Sequence, residues 1–119
     1  MLVWVGVAAL GGLGAVARFA LDSAVSQRTG SGFPWGTLAV NLSGAFVLGL
    51  IAGADVAGDA LLLAGTAALG SYTTFSTWML EAHRLGEDGE LARMWLNLGG
   101  SLVAGLAVAA LGKAIGGAL

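Results

Sequence analysis

Gly70-Ser71-Tyr72-Thr73-Thr74-Phe75-Ser76-Thr77-Trp78 sets five Ser or Thr hydroxyls and three aromatic rings inside a charge-free run from Ala60 to Leu80. A run of this length matches the ~20 residues that cross hydrocarbon as a helix. Lipid offers no hydrogen-bond partner to a polar side chain or to a broken backbone. A hydroxyl-rich segment at that depth therefore faces protein or an ion path.

The rest of the chain supplies a membrane context. It has 119 residues, 57% hydrophobic and 10% charged, with a mean hydropathy of +0.88, too apolar to cover itself with a polar surface in water. Charges divide it into four long apolar runs, Met1 to Ala17, Phe33 to Ala54, Ala60 to Leu80 and Met94 to Gly112. These predict an all-α integral membrane protein of four transmembrane helices, near 2–21, 34–54, 60–83 and 92–115, forming a single domain over 1–119. Gly11, Gly12 and Gly14 interrupt the first run and no basic segment precedes it, so it reads as a retained helix rather than a secretory signal. Asp22 to Gly32 reads as a polar turn, with Pro34 near the first turn of the second helix, where a missing N–H does no harm. Asp55 to Asp59 and Ala82 to Arg93 are the remaining connections.

Several function classes drop out. A net charge of −2 with no block of like charge argues against a nucleic-acid partner. The absence of cysteine removes disulfides, thiolate metal sites and thiol nucleophiles. His83 is the single histidine, and no carboxylate cluster joins it at ligand spacing within a span. Glu87, Asp88 and Glu90 fall in the loop before the last helix and read as solvated charges. The chain does not read as an enzyme.

Glycine, at 21 residues, points to close helix packing. Ala45, Gly49 and Gly53 on the second helix and Gly112 and Gly116 on the fourth place small residues at i, i+4 spacing. Four such helices hardly enclose a pore, so the polar groups are expected to lie against a second protomer, most simply in a dimer. In the third helix, Gly70 followed by closely spaced hydroxyls predicts a break near the middle, since Ser and Thr compete for backbone hydrogen bonds. Freed carbonyls at the negative end of a half-helix suit a buried Na⁺. The alternative is that the hydroxyls bond back to their own turn.

Downstream of the break, Phe75 and Trp78 share one helical face while Thr74 and Thr77 share an adjoining one. Asn41 projects a lone amide from the second span, with Thr37 four residues before and Gly44 three after, and Asn97 with Ser101 repeats the spacing on the fourth. Each stripe can also be interhelical hydrogen bonding, worth about 0.6 to 2 kcal/mol in lipid. Taken together they make a polar track of amide and hydroxyl donors and electropositive ring edges, without Lys or Arg, suited to a small anion moving passively. Glu81, at the end of its span, is expected to pair with Arg84 at i+3.

Three ordered stretches resemble the Fluc (CrcB) fluoride channels: Gly11-Gly12-Leu13-Gly14-Ala15-Val16-Ala17-Arg18, Gly36-Thr37-Leu38-Ala39-Val40-Asn41-Leu42-Ser43-Gly44, and Thr73-Thr74-Phe75-Ser76-Thr77 with Glu81. The resemblance implies antiparallel homodimers, or heterodimers of paralogous subunits, in the plasma (inner) membrane, passively exporting cytoplasmic F⁻ through two pores. It implies a structural Na⁺ at the dimer interface held by the carbonyls of Gly70 and Thr73. Asn41 and Phe75 would line the pore, Ser76 and Thr77 would join a polar track that Ser101 extends, and Arg18 and Glu81 would be structural.

Two positions depart from the family pattern: Trp78 stands where a second Phe is usual, and Asn97 falls where a Tyr is common. The bias of Lys and Arg, with Arg18, Arg28, Arg84 and Arg93 on one side against Lys113 on the other, favours one orientation. Burial of Arg18 would weaken that bias. A small dual-topology multidrug exporter would need a membrane-embedded carboxylate, and the first helix has none before Asp22. A purely structural membrane subunit, with every stripe a packing device, is the other rival.

Overall fold

A computed structural model describes residues 1–30 and 32–119, and among them every regular element is helical. Helix α1 is Leu2–Thr29 and α2 is Trp35–Gly53. Helix α3 covers 58–72 and is π-helical through Leu62–Leu69. Helix α4 is Ser76–Glu87. Helix α5 is Leu91–Gly117, with π-helical geometry over Leu96–Gly100.

Three of these, α1, α2 and α5, are long and apolar enough to cross a membrane. The third expected span is divided into α3 and α4 by an interruption at 73–75, and neither half crosses alone. The long dimension of the molecule, 48 Å, is close to the ~40–45 Å of a bilayer with its headgroups.

Helix α1 does not stop at residue 21. The segment read as a polar turn from Asp22 continues as helix to Thr29. Its polar side chains fit helical spacing: Ser26 Oγ donates to Asp22 Oδ1 at 3.2 Å and Thr29 Oγ1 to the Val25 carbonyl at 2.9 Å. The helix ends where Gly30 turns to φ +80°, its amide still bonded to the Ser26 carbonyl at 3.0 Å.

Helices α2 and α5 share the most extensive contact in the molecule, and small residues explain it. A Cβ on Gly49 or Gly53 would collide with the carbonyls of Ala109 or Lys113. One on Gly112 or Gly116 would strike those of Phe46 or Leu50. Backbones thus meet directly, as small-residue spacing permits in lipid. Gly14 does the same for α1 against the Ala68 carbonyl of α3.

Buried apolar side chains are few among the described residues: Val40, Ala67 and Ala82. Trp4, Phe19, Trp95 and Leu106 all expose well over half their surface. A water-soluble fold of this size would bury such groups, whereas a lipid-facing one leaves them out.

Candidate functional site

The interruption between α3 and α4 organises the site. Thr73 leaves the helix at φ −79° and ψ 160°. Its amide and its hydroxyl both still bond to the Leu69 carbonyl, at 2.9 and 3.0 Å. One hydroxyl therefore does bond back to its own turn, and the helix breaks nevertheless.

The next amide is diverted. Thr74 N–H donates to Asn41 Oδ1 at 2.9 Å, and Asn41 Nδ2 returns a bond to the Thr74 carbonyl at 2.9 Å. The Asn41 carboxamide thus stands in for a peptide group from across the helix pair. Thr74 Oγ1 then accepts the Thr77 amide at 3.2 Å and starts α4 in the manner of a capping hydroxyl.

Three further groups brace the break. Arg18 Nε donates to the Ser71 carbonyl at 3.4 Å, placing a cation at the negative end of a half-helix. Tyr72 Oη and Ser43 Oγ lie 2.8 Å apart; because the Ser43 hydroxyl donates to the Val40 carbonyl at 3.0 Å, Tyr72 is the donor. Gly44 makes room, since a Cβ there would run into the Thr73 methyl and meet the Tyr72 ring at 3.3 Å. Among the described residues no backbone amide bonds to the carbonyls of Gly70, Tyr72 or Thr73.

Beside the break lies an open groove of about 470 Å³. Its lining gathers Asn41, Gly70, Thr73, Phe75, Trp78 and Ser101, and no charged residue. Phe75 is 69% exposed in the single chain. Its ring meets that of Trp78 edge to face, with centroids 5.7 Å apart and planes at 85°. Ser76 and Thr77 begin α4 outside this lining, Ser76 exposed and Thr77 half-buried.

The remaining expected residues sit elsewhere. Glu81 accepts a hydrogen bond from the buried Thr37 hydroxyl. This corrects the expected Glu81–Arg84 ion pair, which does not form among the described residues; the i+3 spacing is met, but the carboxylate reaches across to α2. Glu81 and Arg84 instead border a second hollow of about 550 Å³ near Pro34 and Asp88. With Arg18 bonded to Ser71, Arg28, Arg84 and Arg93 remain on one side of the expected topology against Lys113 on the other; Arg93 donates to the Gly32 carbonyl at 3.1 Å and lies 3.8 Å from Glu90.

The two departures from the family pattern prove to be partners. Trp78 Nε1 donates to the Asn97 carbonyl at 3.1 Å, which also takes the Ser101 amide. Ser101 Oγ donates to Asn97 Oδ1 at 3.3 Å. Asn97 is 1% exposed and its Nδ2 has no partner among the described residues, an arrangement that costs about 1–3 kcal/mol if nothing else binds there.

A family model described as "CrcB-like protein, Camphor Resistance (CrcB)" matches residues 5–113. The chain belongs to the CrcB-like family. Its relatives include the fluoride-specific ion channel FluC 2 of Mycobacterium tuberculosis, 51% identical over 111 residues that cover 93% of this chain and 88% of the relative. The FluC 2 of Mycolicibacterium paratuberculosis is 54% identical, with 93% and 91% covered. That of Haloarcula marismortui is 48% identical over 100 residues, with 84% and 82% covered. With its three long apolar helices, this CrcB-like chain is a multi-pass membrane protein.

Reading the sequence alone missed how the break is held. Arg18, Ser43 and Gly44 all lie within the stretches that carry the family resemblance, which was the available signal. The Asn97 pairing had no such signal beyond its spacing to Ser101.

Proposed function

We propose that this chain is one protomer of a passive, fluoride-selective channel that lets cytoplasmic F⁻ leave down its electrochemical gradient and so protects the cell. The observation that carries the reading is the uncharged groove at a helix break, lined by Asn41, Phe75, Trp78 and Ser101. Curated relatives named as fluoride-specific channels, about half identical over most of the chain, support it.

The chemistry fits a small anion. Asn41 Nδ2 carries two hydrogens, of which the Thr74 carbonyl takes one. The other, with the electropositive edge of Phe75, can meet F⁻ without the deep trap that a Lys or Arg would create. Among the described residues no titratable group lines the groove, so none of them couples transport to protons there. From acidic surroundings fluoride crosses the membrane as the neutral acid and ionises inside, and a uniport suffices to release it.

In this reading α3 and α4 together make one membrane crossing, giving four, and the groove is closed by a second, antiparallel copy or by a paralogous subunit. Ser76 and Thr77 continue the track beyond the groove, and Arg18 and Glu81 hold structure, through Ser71 and Thr37. The carbonyls of Gly70 and Thr73 fit a Na⁺ at the interface: they are hard oxygen donors at a half-helix terminus, with no amide bonded to them. Bound there, Na⁺ would neutralise the carbonyl dipoles of both copies. The membrane is the plasma (inner) membrane.

The test is efflux from KF-loaded liposomes holding purified protein, followed with a fluoride electrode. Rapid efflux that requires valinomycin, with Cl⁻ excluded, is expected. Equal efflux with and without the ionophore would indicate electroneutral exchange and defeat the channel.

A further inference from the structure

Asn97 binds together two groups of the groove wall, the Ser101 hydroxyl expected in the polar track and the Trp78 indole. The Ser101 hydroxyl has a single proton, and it lies on Asn97 Oδ1. The Trp78 indole has a single N–H, and it lies on the Asn97 carbonyl. Neither can donate to an anion without giving up its bond to Asn97. The one side-chain donor of this cluster that remains uncommitted is Asn97 Nδ2, on a residue 1% exposed.

A buried amide with both hydrogens unpaired is uncommon in folded proteins, and an ion or ordered water is a usual explanation. Its neighbours narrow the choice. Trp78 and Ser101 both line the groove, while Asn97 sits among them without lining it. A polar group one layer behind the wall, with two N–H bonds free, would meet an anion that has left Phe75 and passed these two side chains.

We propose that Asn97 Nδ2 is a fluoride-contacting donor on α5, the next along the track after Asn41 and Phe75, and that Ser101 acts at this level as a positioning residue that fixes the Asn97 carboxamide through Oδ1. This rests on the fluoride-channel reading. It assigns a role to a side chain that a reading of the Ser101 hydroxyl as the ion's partner leaves out.

Asn97→Thr and Asn97→Val have nearly the same shape but differ in a hydroxyl donor, and Asn97→Asp keeps the shape while replacing the donor by a charge. In the KF liposome assay, Asn97→Thr retains flux within about tenfold of wild type, the scale of one altered hydrogen bond. Asn97→Val and Asn97→Asp fall by about a hundredfold or more, as when a single donor to an anion is removed. All are compared at matched size-exclusion profiles; should Asn97→Val not assemble, the Thr and Asp variants carry the comparison. Equal flux for Val and Thr would make Asn97 a packing residue and overturn the proposal. So would wild-type flux in Asn97→Asp, since the inward-facing atom would then be an oxygen. Absence of flux in wild-type protein would instead sink the channel reading itself.

Discussion

Helices α2 and α5 meet through glycine and almost nothing polar; α3 and α4 meet α2 through a broken backbone and many polar bonds. At the first contact Gly49, Gly53, Gly112 and Gly116 bring main chains together so that carbonyl oxygens fill the space of absent Cβ atoms. At the second, Gly44 also removes a side chain, but the space admits the Tyr72 ring and the Thr73 methyl. There Asn41 takes over the hydrogen bonds of Thr74. Glycine in the first place makes a rigid strut. In the second it seats a polar junction, where the unsatisfied ends of two half-helices are available for ions.

The strut is the more sensitive to added volume. Gly112→Val places a branched side chain against the Phe46 carbonyl, which is backbone and cannot swing away. Overpacking of this kind typically costs about 1–3 kcal/mol where side chains can adjust, and more where they cannot. The expected result is loss of a monodisperse species on size exclusion. Gly12→Ala, whose Cβ would meet nothing within 4 Å in the chain, should assemble like wild type. Survival of Gly112→Val would mean that α2 and α5 are not held as closely as described.

The junction should fail in function before it fails in assembly. Asn41→Asp keeps one acceptor for the Thr74 amide but loses the donor to the Thr74 carbonyl, and sets a negative charge in the groove. Flux is expected to fall by about a hundredfold or more, with the oligomer intact. Phe75→Ile removes the ring edge while preserving apolar bulk. Phe75 is already 69% exposed within the protomer, so little intrachain packing is lost. Abolished flux is expected; near-normal flux, the outcome of a volume-conserving swap in a packing role at less than ~1.5 kcal/mol, would remove Phe75 from the path.

Gly70→Val sharpens the contrast between the two kinds of glycine. Its Cβ would approach nothing closer than the Gly65 carbonyl at 3.9 Å, so the protomer itself accommodates the change. Any damage must come from what covers the groove. Under the Na⁺ proposal, dimer stability and flux both fall, and replacing Na⁺ by a large organic cation lowers them in wild type too. Thr73→Ala, which gives up only the hydroxyl bond to Leu69, should be milder. Indifference of wild type to Na⁺ replacement would empty the site of its role.

The sequence carried the membrane class, the small-residue faces of α2 and α5 and the position of the break, because each follows from local composition: apolar length, i+4 spacing of small residues, hydroxyl density after Gly70; that the two faces meet each other is seen only in the structure. Asn41, Phe75, Trp78 and Ser101, four of the residues expected along a track, line one groove, while Ser76 and Thr77, expected in the same track, lie outside it. How the break is closed was not legible, because Asn41 with Thr74 and Arg18 with Ser71 are pairings to backbone atoms, which leave no residue-type signature. The length of α1 was misread for a related reason. Asp22, Ser26 and Thr29 look like turn formers singly, and only their i+4 bonds keep them in a helix. Glu81 failed in the same direction: the sequence neighbour Arg84 was the visible partner, and Thr37, 44 residues away, was the actual one.

Trp78→Phe is the smallest perturbation and bears on both regions, since the indole N–H ties α4 to α5. The substitution keeps an aromatic ring against Phe75 and removes the bond to the Asn97 carbonyl. That carbonyl retains the Ser101 amide, so no buried acceptor is left alone. Hydrogen bonds between membrane helices average about 0.6 kcal/mol, so the expected loss of thermal stability in detergent is slight. Flux should change by less than about threefold, the factor to which that energy corresponds. A complete loss of flux with an unchanged size-exclusion profile would contradict this. It would show that the indole N–H does more than join two helices, either by meeting the ion itself or by holding Asn97 where a ring alone does not. Trp78→Leu separates those outcomes from loss of the aromatic edge, because it removes the ring and the N–H together; it is expected to be the more damaging of the two.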